Sequence, residues 1–365
     1  LKGTRMYTRI HRMAIVLLIV ILLGGCTWKQ QKESSDPASP QPVLPGEYFM
    51  THHLMTDQGL IRTSFAEQHI YLSESLGLWM DYLVRKKDPN SFEKQFHVLQ
   101  DQFLLDHHLL SWQIESDQKS QVNALVDDLR VIAALQKADH LWQKPAYQKT
   151  AKDIAQSLKD KNMYKGILSD YYDAAANRTS HTITLSYIDP AAIKELVSLH
   201  IFTKQMASHQ LAILKHAPRQ KGFFPKSYDI KKKAYSFDQE INMIDQLYTA
   251  FHADLANVHT SAIMKWLKTT FKEEGKLYGR YKLGTLKPSV TYESPSVYAL
   301  VILYALKQNE SEFAKDVYER MKELQIKDPL KPYYGGYMNE KDTHSFDNLL
   351  PLIAERELLN ESVIQ

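Results

Sequence analysis

The sequence holds one cysteine in 365 residues, Cys26, so no disulfide can form within the chain. Glycine is sparse, at 13 residues, and no glycine-rich run suited to cradling a phosphate occurs. There is no His-Glu-x-x-His, and His107-His108 and His252 with His259 lack further ligands at metal spacing. Neither a metal nor another cofactor is expected. A large excess of one charge is also missing. The formal net charge is +3, and it falls to −1 without residues 1–25, which carry four cations and no acid. That removes the basic footprint of a nucleic-acid binder. The run Lys231-Lys232-Lys233 reads as a solvated turn. The apolar stretch from Met13 to Leu23 is too short for a comfortable transmembrane helix.

What the N-terminus does hold is ordered. Lys2, Arg5, Arg9 and Arg12 precede the apolar stretch, and Leu23-Gly24-Gly25-Cys26 follows it. A basic region, a short apolar region and small residues read as a signal peptide over residues 1–25. The last four residues resemble a bacterial lipobox, which implies a lipid anchor on Cys26. The body is then expected outside the cytoplasm, anchored to the cell membrane. Residues 26–46 are polar and carry Pro37, Pro40, Pro42 and Pro45, as a disordered tether would. The folded domain is expected over residues 47–365.

Within that domain the periodicity is helical. The pattern predicts helices over 61–86, 90–105, 121–139 and 145–159, then a loop-rich stretch to Ile188. Asp189-Pro190 opens the next helix as N-cap and first residue, and its partner spans 207–216. Further helices are expected over 238–258, 261–274, 295–306, 311–324 and 345–359. Alternate helices begin near residues 64, 122, 189, 239, 294 and 345, a spacing that suits one helical hairpin with its loops. Six hairpins make an all-α fold, the (α/α)6 barrel, whose inner helices are buried all round. Eleven helices are legible, so one partner is short or absent.

One stretch stands out chemically. In Ser73-Glu74-Ser75-Leu76-Gly77-Leu78-Trp79-Met80, Glu74 lies on a half-apolar face. Partial desolvation raises a carboxyl's pKa, as a general acid working near neutrality requires. Gly77, one turn on, weakens the helix but removes bulk beside the carboxylate. The plain alternative is an ion pair between Glu74 and a cation.

This stretch resembles the S-E-G-x-G-Y-G-M signature of glycoside hydrolase family 8, with Ser75 for the first glycine and Trp79 for a small residue. The resemblance implies that Glu74 is the proton donor. Asn123-Ala124-Leu125-Val126-Asp127-Asp128-Leu129 resembles the family's N-x-A-[ST]-D-x-D-L. Asp128 falls on the sugar-gripping aspartate, Val126 replaces the other, and Asp127 is the neighbouring alternative. Ile244-Asp245-Gln246-Leu247-Tyr248 resembles Y-D-A-x-R, the box of the general base, with Ile244 for the tyrosine and Tyr248 for the arginine. Asp245 is then the base, with Asp238 and Glu240 as alternatives. Leu110-Ser111-Trp112 and Leu185-Ser186-Tyr187 resemble cleft-lining segments. Trp79, Trp112, Tyr187 and Tyr248 are accordingly expected to bind substrate.

Two carboxylates suffice for hydrolysis with inversion. One protonates the leaving oxygen, and the other activates water on the opposite face, about 6.5–9.5 Å away. The resemblance implies an endo-acting glycanase on a β-1,4-linked or mixed-linkage polysaccharide at or outside the cell surface, working as a monomer. The alternative is a catalytically weakened binding or assembly lipoprotein on the same fold.

Overall fold

The computed structural model describes residues 41–365, so the signal segment, Cys26 and the tether up to residue 40 lie outside the described residues. Residues 42–365 form one unit. Its twelve α-helices are α1 (Pro45–Phe49), α2 (Ser73–Lys86), α3 (Pro89–Val98), α4 (Leu125–Trp142), α5 (Pro145–Lys161), α6 (Pro190–Ser198), α7 (Lys204–Lys215), α8 (Met243–Leu255), α9 (Ser261–Glu274), α10 (Pro295–Lys307), α11 (Ser311–Glu323) and α12 (Phe346–Asn360). Helix starts follow local chemistry. Asp189 Oδ1 accepts hydrogen bonds from the Ala191 and Ala192 amides, with Pro190 at the first position. Asp88 caps α3: its Oδ1 accepts from the Ser91 amide. Asn242 caps α8 in the same way.

The even-numbered helices form the inner ring, each in contact with the next and α12 with α2. Their sequences show why. In α10 nearly every residue from Ser296 to Leu306 is buried, whereas α11 buries only Phe313, Ala314, Val317 and Met321. The first is apolar all round, and the second carries one stripe. The result is the expected (α/α)6 barrel.

The missing partner is α1. It continues into a π-helical turn, Met50–Leu54, and packs on α12. Glu47 accepts from Tyr82 Oη at 2.6 Å and pairs with Lys86 Nζ at 2.5 Å. Arg356 of α12 donates to the Pro42 carbonyl at 2.8 Å. The loop beneath needs glycine. Gly335 has φ +84°, and a Cβ there would stand 1.9 Å from the Pro45 carbonyl oxygen. Pro42 and Leu44 are thus held against the ring.

The helix expected over 61–86 starts only at Ser73. Ile70–Leu72 is instead a strand, antiparallel to Gln113–Glu115, with Tyr71 opposite Ile114. Ile and Tyr favour the half-buried pleat over the helix. Short strands likewise lead into other inner helices: Thr182–Thr184 before α6 and Glu240–Asn242 before α8. Asp238, expected within a helix, precedes that second strand. The small sheets thus rim the end of the ring at which the inner helices begin.

Candidate active site

Polar side chains gather at the starts of the inner helices. Glu74 is in the first turn of α2, Asp127 in that of α4, Asp245 in that of α8 and Asp347 in that of α12. Asp170 joins them from the segment before α6. Its oxygens accept from the Thr184 amide at 2.6 Å and the Thr184 hydroxyl at 3.1 Å. Helix N-termini favour negative charge, which pulls carboxyl pKa values down. Burial works against this.

At Glu74 burial wins. Its carboxyl is pushed up to about 7, first by desolvation, then by the neighbouring Asp127 and Asp347, with Arg130 opposing. A glutamic acid so placed still holds its proton near neutral pH. Asp245 is half-buried and accepts from Ser186 Oγ at 3.2 Å. Burial raises it, Lys226 and the Ser186 bond hold it down, Asp238 raises it further, and Arg280 lowers it. Asp170 is pushed up to about 6 by burial, with Asp245 adding to the rise. Burial raises the Tyr187 phenol above its ordinary range, and Asp170, Asp127, Asp245 and Glu74, all within electrostatic reach, add to the rise. Glu74 and Asp245, far apart in sequence, thus both lie within reach of Tyr187.

The second box is turned differently from expectation. Asp128 is 0% exposed, accepting from the Leu110 amide at 3.0 Å and from Asn123 Nδ2 at 2.6 Å. It braces the Trp112 segment from within, and burial pushes it up to about 8. The neighbour Asp127 faces Glu74. It accepts from Ser73 Oγ and from Arg130 Nη1, each at 2.8 Å.

The aromatic residues divide as well. Trp112 is 40% exposed beside the start of α2, where its carbonyl accepts from the Ser73 amide at 3.1 Å. Tyr187 stands among the carboxylates. Tyr248 is half-buried and lies within electrostatic reach of Arg130 and Glu74. Trp79 is a correction: at 3% exposure it stacks on Tyr82 in the core, beyond the cleft end of its helix. Asp238 and Glu240 are half-exposed and paired with Lys226 and Arg280, so neither is held as Asp245 is.

Arg130, Asp170 and Asp347 were not singled out by sequence reasoning. Arg130 lies three residues after Asp127, a helix-pair spacing that could have flagged it. Asp347 sits in a segment identified only as a helix start. Asp170 is in a loop with no local signal.

A ring of six helical hairpins with carboxylates at the inner helix starts defines the class, and the chain has the fold of solved family 8 glycoside hydrolases. More narrowly, it is of one family with the Bacillus subtilis (strain 168) protein described as "Putative lipoprotein YdaJ", 45% identical over 362 residues, 97% of this chain and 99% of that one. Among solved structures, an alpha-amylase from Clostridium perfringens is 27% identical with a TM-score of 0.80, over 86% of this chain and 96% of its own. The endoglucanase Cel10 of Klebsiella pneumoniae, a family 8 glycosyl hydrolase, shares the fold at 15% identity and a TM-score of 0.60, over 86% of this chain and 98% of its own. No protein-family model matches the chain. No described helix is long and apolar enough to cross a membrane.

Proposed function

We propose that the protein hydrolyses a polysaccharide by an inverting mechanism, with Glu74 as general acid and Asp245 as general base. The observation that supports this reading is that Glu74, its carboxyl raised by burial, and Asp245 both lie within electrostatic reach of Tyr187. Glu74 gives its proton to the glycosidic oxygen as the bond to the anomeric carbon breaks. Asp245 takes a proton from water, whose oxygen attacks that carbon from the opposite face. The departing sugar leaves as an alcohol, and the configuration inverts. Asp127, fixed by Ser73 and Arg130, grips the sugar beside Glu74. The exposed Trp112 offers a ring for a sugar face to stack on.

The substrate class follows the resemblance: a β-1,4-linked or mixed-linkage chain, cut internally at or outside the cell surface by a monomer anchored through Cys26. The solved neighbour named an alpha-amylase favours a second reading, an α-linked glucan. One experiment separates them. The full chain is incubated with β-glucans, xylan, chitosan, amylose and the producing cell's exopolysaccharide, and new reducing ends are followed by proton NMR. Release of α-anomers from a β-linked chain is the expected result. Release of β-anomers from amylose alone would move the substrate to the α-glucans. Binding without cleavage of any of them would leave the alternative, a binding lipoprotein on this fold.

A further inference from the structure

Arg130 reaches the cleft floor from α4, and its stem passes α2 at Gly77. A Cβ at position 77 would stand 3.1 Å from Arg130 Cδ and 3.4 Å from Cγ. The gap in α2 is therefore filled by an arginine stem. Its head meets three groups. Nη1 donates to Asp127 at 2.8 Å, and the Tyr248 phenol and the Glu74 carboxyl lie in its field. The side chain is 13% exposed, so water screens it weakly.

Tyr248 occupies the position at which the Y-D-A-x-R box carries its arginine. Here a guanidinium reaches Tyr248 from a different helix. We propose that Arg130 is a positioning residue for Glu74 and Asp127, admitted by Gly77, and that it stands in for the arginine missing at position 248. The proposal rests on Glu74 being the acid.

The groups facing Glu74 come from four sides: Asp127 and Arg130 from α4, Asp347 from α12, Tyr248 from α8, and Tyr187 from the turn before α6. The two aspartates push Glu74 to keep its proton, and Arg130 is the cation that opposes them. Without it, Glu74 and Asp127 would face each other with no positive charge between them. The acid would then hold its proton too tightly to give it up near neutral pH.

The test reads Glu74 directly. The full chain is prepared with glutamate labelled by carbon-13 at Cδ, and the Glu74 signal is assigned by its loss in Glu74→Gln. Its midpoint is then followed with pH. Arg130→Met should raise the midpoint by about one to three pH units, the effect of removing an adjacent opposite charge. Gly77→Ala should raise it in the same direction by displacing the stem, while the helix itself gains stability. A midpoint unmoved or lowered in Arg130→Met overturns the proposal. If that variant does not fold, Gly77→Ala decides: a raised midpoint supports the proposal, and an unmoved one overturns it. The readout needs no turnover. A protein that shows these shifts but cleaves no glycan would sink the hydrolase reading and leave Arg130 established only as the cation that positions Glu74 and sets its proton.

Discussion

Ser73 donates its hydroxyl to Asp127 at 2.8 Å, joining the first turn of α2 to the first turn of α4. The placement of Glu74 thus depends on two helix starts and one short bond, and hardly on the loops above. Rigid elements hold reacting groups more closely than loops do, which is what a proton transfer over hydrogen-bond distance demands.

Glu74→Gln keeps the side chain's size and removes its proton. Turnover should fall by about 10² to 10⁴, and less with a leaving group that needs no proton. The wild-type pH profile of kcat/KM should be a narrow bell. Its alkaline limb should fall near 7 as Glu74 loses its proton. Its acid limb should lie above the usual carboxylate range, because Asp245 must be ionised and burial raises it. In the variant the alkaline limb should vanish. A profile flat through pH 7 in the wild type would remove Glu74 from the role.

Asp245→Asn should abolish turnover and spare oligosaccharide affinity, because the base acts on water. Added azide can replace the missing base as nucleophile, giving an α-azide from a β-glycoside. Asp238→Asn and Glu240→Gln remove half-exposed, surface-paired groups and should change rates little. If either of these gives the azide product while Asp245→Asn stays active, the base lies upstream of Asp245.

Asp127→Asn and Asp128→Asn should separate cleanly. The first should weaken oligosaccharide binding and rate, losing charge-assisted bonds of about 1.5–3 kcal/mol. The second should lower stability by about 1–3 kcal/mol in urea unfolding and leave affinity nearly unchanged, because an amide cannot accept from both Leu110 and Asn123. In the wild type, the contribution of Asp128 is full below its unfolded value of 3.8 and is lost as pH rises to about 8. Over that range the folded chain keeps a proton that the unfolded chain releases.

Glu47→Ala removes the partner of Lys86 inside the ring closure. Unfolding free energy should drop by about 3 kcal/mol, with Asp88 at 3.3 Å partly compensating Lys86. Turnover per folded molecule should be preserved, as measured by active-site titration.

Cys26→Ala should release the protein from the membrane fraction. A mature-size variant that still sediments with membranes would mean another tether exists.

The fold was legible because hairpin spacing and all-round apolarity survive in sequence. Inner helices such as α10 are apolar in every direction, and that is a composition signal. The twelfth helix was hidden because α1 has five residues and sits behind prolines that read as tether. The acid was legible through a local signature. Asp127 and Asp128 could not be told apart, since adjacent residues at a helix start share every local cue. The two differ in their partners, Leu110 and Asn123 for Asp128, Ser73 and Arg130 for Asp127. Trp79 read as a platform because its box lies beside the acid, but five residues along a helix is more than a full turn.

The hairpin that closes the ring is made from the two ends of the described chain, with Glu47 and Arg356 both reaching Tyr82. The contact of Arg356 with Tyr82 joins residues 274 apart in sequence, a long loop to close in folding. Until α12 is made, the inner ring lacks the helix that joins α10 to α2. Glu74 is then already present, but Asp347, its neighbour across the seam, has yet to arrive. If Glu74 is the acid proposed above, a product truncated before α12 should lack an aspartate that helps it keep its proton.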